Sequence, residues 1–218
     1  MTPKFADAVD PVFASALEVL EQIEDGAEPD PEIVRRGLLR RLEQAEAKLG
    51  ATKDWEHAKY ALVVWIDEIL IDAPWKKGQK AWENHCLEVD VYPSKQAASE
   101  FFDKANEASA LVEKDALEVY YLAVILGFRG IYRDTPTLDR DECDFRNLPA
   151  TRGLWARRIS KSIQVGQGRP NLENRPEEGR GGEALHGRFE LLGSLLWFLL
   201  LLTVSVLLGI ALYLKKYS

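Results

Sequence analysis

Apolar residues recur along this chain at intervals of three and four, and that spacing predicts one helix after another. From residue 4 to about 24, Phe5, Val9, Val12, Phe13, Ala16, Leu17 and Leu20 mark one face of an amphipathic helix. Pro11 falls inside it, which predicts either a kink or a main helix starting with Asp10 as N-cap and Pro11 at the first helical position. After the loop DGAEPD, Asp30-Pro31-Glu32 repeats the cap-then-proline order. It opens a helix through Ile33, Leu38, Leu39, Leu42 and Ala45 that stops near Gly50. The run Arg35, Arg36, Arg40 and Arg41 on its outer faces reads as a solvated surface with i,i+3 and i,i+4 ion pairs rather than as a docking patch.

The third helix, from Asp54 as cap to about Asp72, differs in kind. Its segment YALVVWIDEILI is apolar around most of the circumference, broken only by Asp67 and Glu68. Carboxylates in such surroundings are costly unless each reaches solvent, a donor or a cation. Neighbours on a helix point about 100° apart, so the two cannot flank one substrate as an acid/base dyad. The expectation is one carboxylate inside, capping or pairing with an element of the fold, and the other in a groove. Beyond Trp75 the chain turns polar, and the stretch ENHCLEVDVYPS reads as a loop or a short helix. A helix from Ser94 or Lys95 then places Ala97, Phe101, Ala105 and Ala108 on one side, with Phe102 close by. Asp115 and Glu118 form a capping-box variant opening a second all-apolar helix, residues 116–128, which ends at Gly127 or Gly130.

No strand pattern survives, so the expected architecture is all-α: two small packed bundles, each around one all-apolar helix. From Arg133 on the chain is polar, with one more candidate helix in ATRGLWARRISKSI. Residues 164–188 are rich in Gly, Pro and charge and read as a leash. The segment VGQGRPN within them lacks the GK[ST] ending and the preceding strand of a phosphate loop. The expected division is a helical domain at 1–135, a polar and partly helical linker at 136–190, and a membrane anchor at 191–214.

That last segment holds no charged residue. Its 24 residues make a helix of about 36 Å, enough to cross a hydrocarbon core of about 30 Å. Tyr213, Lys215, Lys216 and Tyr217 supply interfacial anchors, and Arg169, Arg175, Arg180 and Arg188 ahead of the segment outnumber the two lysines behind it. The arginine excess favours a single pass with the N-terminal side cytoplasmic. The first residues show no basic n-region followed by an apolar core, so a tail-anchored topology is expected, with a short periplasmic C-terminus.

Charge is uneven. Residues 1–150 carry 18 Lys and Arg against 30 Asp and Glu, a net of −12, while 151–218 carry 10 against 5, a net of +5. An acidic domain repels phosphates, which argues against nucleic acid as a partner. Cys86 and Cys143 lie far apart without a CxxC pairing and read as free thiols. His57, His85 and His186 are equally scattered, so neither a metal nor a cofactor is expected.

The acidic pair in an apolar helix followed by tryptophan (WIDEILIDAPW), the downstream SEFFDKA, the run LEVYYLAVILGFRGIYR and the C-terminal anchor together resemble the TssL family of type VI secretion systems. DotU, or IcmH, of type IVB systems belongs to the same family. The resemblance covers about residues 5–135 and the span. It implies a hook-like, two-bundle cytoplasmic domain fixed in the bacterial inner membrane as a structural subunit of the membrane complex. The partners it implies are the IcmF-like subunit TssM, the baseplate subunit TssK, and further copies of the chain as a homodimer or higher oligomer. Under it, Asp67, Glu68 and Trp75 are candidates for partner binding, and Gly127, Phe128, Gly130 and Tyr132 shape a structural turn. Ser205 and Gly209 provide a small-xxx-small step for packing between spans. Residues 134–188 are longer and more irregular than the family's usual connection, and LEVDVY matches only loosely. The competing class, a membrane-tethered enzyme, finds no HExxH, GxSxG, P-loop or convergent His/Cys spacing to support it.

Overall fold

A computed structural model of the chain describes residues 1–92 and 97–166, all of which lie within one compact unit. The expected anchor, its Ser205 and Gly209 step and most of the leash lie outside these residues. Among the described residues no helix is long and apolar enough to cross a membrane.

The described residues form an all-helical fold. It comprises α1 (Pro3–Glu24), α2 (Pro31–Leu49), α3 (Lys53–Asp72), α4 (Gly78–Asn84), α5 (Leu87–Val91), α6 (Ala97–Ser109) and α7 (Asp115–Ile125). A 3₁₀ turn (Gly130–Tyr132) follows, then α8 (Arg140–Arg146) and α9 (Arg152–Gly166). The stretch after His85 is thus a short helix.

Pro11 neither starts nor stops α1, which runs through it unbroken. A proline leaves the carbonyl four residues earlier without its helical donor. Here that carbonyl, Asp7 O, accepts instead from Lys48 Nζ of α2 at 2.9 Å. Helix α2 starts as its sequence indicates, with Asp30 accepting from Glu32 N and Ile33 N, and gives way at Gly50 with φ 73°. For α3 the cap is Thr52, whose hydroxyl accepts from Trp55 N at 3.2 Å, while the expected Asp54 sits in the first turn. Asp115 does not cap α7 either. Its carboxylate is buried and accepts from Thr2 N at 2.7 Å and from the Thr2 hydroxyl, tying the start of α7 to the start of α1. A long-range pair of donors has displaced the local capping geometry.

The two helix groups separated in the sequence share one core. Helix α3 packs against α1, α2 and α4 to α7, and α7 lies directly along it. Two helices that are apolar on nearly every side bury each other's faces, so no polar seam is left to divide two bundles. The helical body also continues past residue 135: Leu138, Leu148, Trp155, Ile159 and Ile163 are buried in the same core, with α9 packed on α7.

Candidate functional site

The acidic pair of α3 is buried, with Asp67 7 % and Glu68 8 % exposed, and the two side chains serve different neighbours. Asp67 Oδ1 accepts from Trp82 Nε1 at 3.0 Å and from Leu87 N at 2.8 Å, and its Oδ2 accepts from Glu88 N at 2.8 Å. These are the end of α4 and the first turn of α5, whose backbone N–H groups have no intrahelical partner. Glu68 Oε1 accepts from Arg129 N at 2.6 Å and Oε2 from Gly130 N at 2.9 Å, which fixes the turn that follows α7. The divergence of adjacent helical positions therefore becomes a two-sided brace. One turn further on, Asp72 pairs with the guanidinium groups of both Arg129 and Arg133, closing the same turn from the surface. The expectation of one carboxylate in a groove is corrected here: both find buried backbone donors, the partners that offset their desolvation most directly.

Trp75 is fully buried, with its ring centroid 6.0 Å from that of Trp82. Its indole lies over Gly78, where a Cβ would come within 1.8 Å of Trp75 Cε2. Sequence reasoning passed over Gly78. The signal was there, a glycine between two tryptophans in WKKGQKAW.

The four residues of the expected turn are brought together. Gly127 has φ 113° and Gly130 φ 50°, left-handed backbone that side chains disfavour. Phe128 is fully buried against Phe101, and Phe102 stacks edge-on with Tyr132 and Trp155. Tyr132 donates its hydroxyl to Pro149 O at 2.7 Å. A Cβ on Gly130 would sit 2.8 Å from Phe128 Cε1 and 3.1 Å from Phe102 Cε2. Gly130→Ala is expected to cost about 2 to 3 kcal/mol, from crowding of buried rings together with the left-handed backbone. Urea unfolding of the variant checks this, and an unchanged midpoint would place the rings elsewhere.

Burial pushes the Asp67 carboxyl up to about 6, outweighing three donors that favour its ionised form. The folded chain then holds this proton more tightly than the unfolded one. The stability this group supplies is full below about pH 4 and declines as pH rises towards 6. Asp67→Asn cannot titrate. The stability of wild type relative to that variant is therefore expected to fall by about 2 kcal/mol between pH 4 and 6.5. Urea midpoints across that range check the sign, and a difference that grows with pH would contradict it.

Apart from the pair, a groove of about 500 Å³ opens over Trp55, Tyr60 and Tyr92, with Glu46, Lys59 and Lys104 on its walls. Lys104 Nζ stands 5.0 Å from the centre of the Tyr60 ring. Lys59 pairs with Glu46 at 2.6 Å, which holds the Glu46 carboxyl below its usual value. Its cations are thus engaged within the groove itself. Asp67, Glu68 and Trp75 do not line it. Cys86 and Cys143 are free, and among the described residues no three His, Cys, Asp or Glu side chains converge as a metal would require.

The chain matches a family model described as type VI secretion system protein DotU over residues 4–217. The cytoplasmic domain of TssL from Acinetobacter baumannii superposes with a TM-score of 0.58 at 23% identity, covering 74% of this chain and 98% of that one. SciP/TssL from Escherichia coli Enteroaggregative 042 gives a TM-score of 0.48 at 19% identity, covering 66% and 90%. No curated protein matches the chain.

Proposed function

This chain belongs to the DotU family of type VI secretion system proteins, and we propose that it is a structural subunit of the membrane complex that fixes the cytoplasmic baseplate to the bacterial inner membrane. The observation that carries this reading is the extent of the family match, which runs from the helical body on through the uncharged residues 191–214. Those residues supply the single-pass anchor, and the helical body is the cytoplasmic platform, as in the relative whose cytoplasmic domain it resembles in fold. The platform's partners are a TssM-like membrane subunit, a TssK-like baseplate subunit and a second copy of the chain, whose spans meet at Ser205 and Gly209.

In this role Asp67, Glu68 and Trp75 serve partner binding indirectly. They hold α4, α5 and the turn after α7 in one arrangement, so that a partner meets a surface already ordered and less entropy is lost on association. Both carboxylates are committed to structural donors, which suits a scaffold better than a reaction centre.

The test is purification of the tagged full chain from detergent-solubilised membranes. TssM-like and TssK-like subunits should accompany it, and deletion of residues 191–214 should move it to the soluble fraction. An intact chain found soluble, or a membrane-bound chain that brings neither subunit, would contradict the reading.

A further inference from the structure

The basic charge of the C-terminal part is concentrated on one described helix. Residues 151–166 carry Arg152, Arg157, Arg158 and Lys161 and no acidic residue, whereas 167–190 carry four arginines against five glutamates. Helix α9 buries Trp155, Ile159 and Ile163 in the core. Its opposite face presents Leu154, Arg157, Arg158, Lys161 and Val165, a set spaced three, four, seven and eleven residues from its first member, hence one stripe. Leu154 is 48 % and Val165 83 % exposed, large apolar side chains at the two ends of a cationic centre. Arg158 donates to Asn147 O. Among the described residues Arg157 and Lys161 have no ion-pair or hydrogen-bond partner.

We propose that this stripe of α9 rests on the anionic phospholipid surface of the membrane, with Arg157 and Lys161 among the headgroups and Leu154 and Val165 at their apolar boundary. The inference rests on the membrane reading above and deepens it. Charge complementarity supplies the first argument: a +4 helix on a body of net −12 is attracted to the surface that repels the rest of the body, and so sets its orientation. Position along the chain supplies the second. Only 24 residues separate Gly166 from Leu191, a length that reaches at most about 85 Å when fully stretched. A contact too weak to hold a free protein is then made within one tethered molecule, at high effective concentration.

The test uses the full chain with Cys86→Ser and Cys143→Ser, carrying a nitrobenzoxadiazole fluorophore at Val165→Cys, its helicity verified by circular dichroism. It is reconstituted into vesicles containing headgroup-nitroxide lipid. Quenching should be about threefold stronger with roughly one part phosphatidylglycerol to two of phosphatidylcholine than with phosphatidylcholine alone. It should fall to the zwitterionic level when Arg157→Glu and Lys161→Glu are added. A fluorophore at Ile33→Cys on α2 should stay unquenched in both. Failure of the full chain to float with vesicles would overturn the membrane reading and this inference together. Flotation without quenching at residue 165, or quenching indifferent to anionic lipid or to the two glutamates, would overturn this inference alone. The stripe would then belong to an acidic protein partner or to solvent.

Discussion

Asp67→Ala is expected to lower the stability of the helical body by about 3 to 5 kcal/mol at neutral pH, the range for removing one partner from a buried charged network. The substitution strands three buried donors at once: Trp82 Nε1, Leu87 N and Glu88 N. Backbone donors at the start of a helix cannot rotate towards other acceptors, so the first turn of α5 has to open to water or the cavity has to fill with it. For a body of this size such a loss corresponds to a fall in Tm of about 10 °C. Differential scanning calorimetry checks it, and a shift below about 2 °C would show that Asp67 does not hold α4 and α5. Asp67→Asn should cost less, because its carbonyl oxygen can still accept from Trp82 and Leu87 while its amide faces Glu88 N.

Gly78→Ala should cost about 3 kcal/mol, at the upper end for overpacking, although alanine is the better helix former by about 1 kcal/mol. The added methyl would lie 1.8 Å from Trp75 Cε2 and 2.3 Å from Cζ2, and a fully buried indole has nowhere to retreat. Trp75→Leu makes room beneath it. The double substitution should therefore be less destabilising than the sum of its parts, and the shortfall measures the clash. Strict additivity in urea unfolding would contradict the packing of Trp75 on Gly78.

What the sequence made readable, and what it withheld, follows from the range of the interactions involved. Periodicity found α1, α2, α3, α6 and α7, because each needs only its own residues to declare an apolar face. The cap of α2 was readable for the same reason, since Asp30 acts on Glu32 and Ile33. Asp115 misled because its donors come from Thr2, far away in the chain. Pro11 likewise reads as a breaker until Lys48 of α2 is known to satisfy the carbonyl it releases. For the acidic pair, helical geometry gave the divergence of the side chains but not their partners. Those lie about fifteen to twenty residues downstream for Asp67 and about sixty for Glu68, in short helices and a turn too brief to show periodicity of their own. The segment ATRGLWARRISKSI carried a helical signal, yet its arginines hid that Trp155, Ile159 and Ile163 place α9 in the core.

A subunit whose task is to be held by others needs surfaces that keep their relative positions, and the short helices α4 and α5 are too brief to fold by themselves. Their placement relies on α3 reaching out from the core. The acidic pair thus has a single physical role, the simultaneous fastening of two segments on different sides of one helix.

Hydrogen exchange followed by mass spectrometry on wild type, Asp67→Ala and Glu68→Ala under native conditions tests that role most directly. Asp67→Ala should speed exchange in residues 78–91 while leaving 127–133 protected, and Glu68→Ala should do the reverse. Protection lost from both segments in either variant, or from neither, would contradict it.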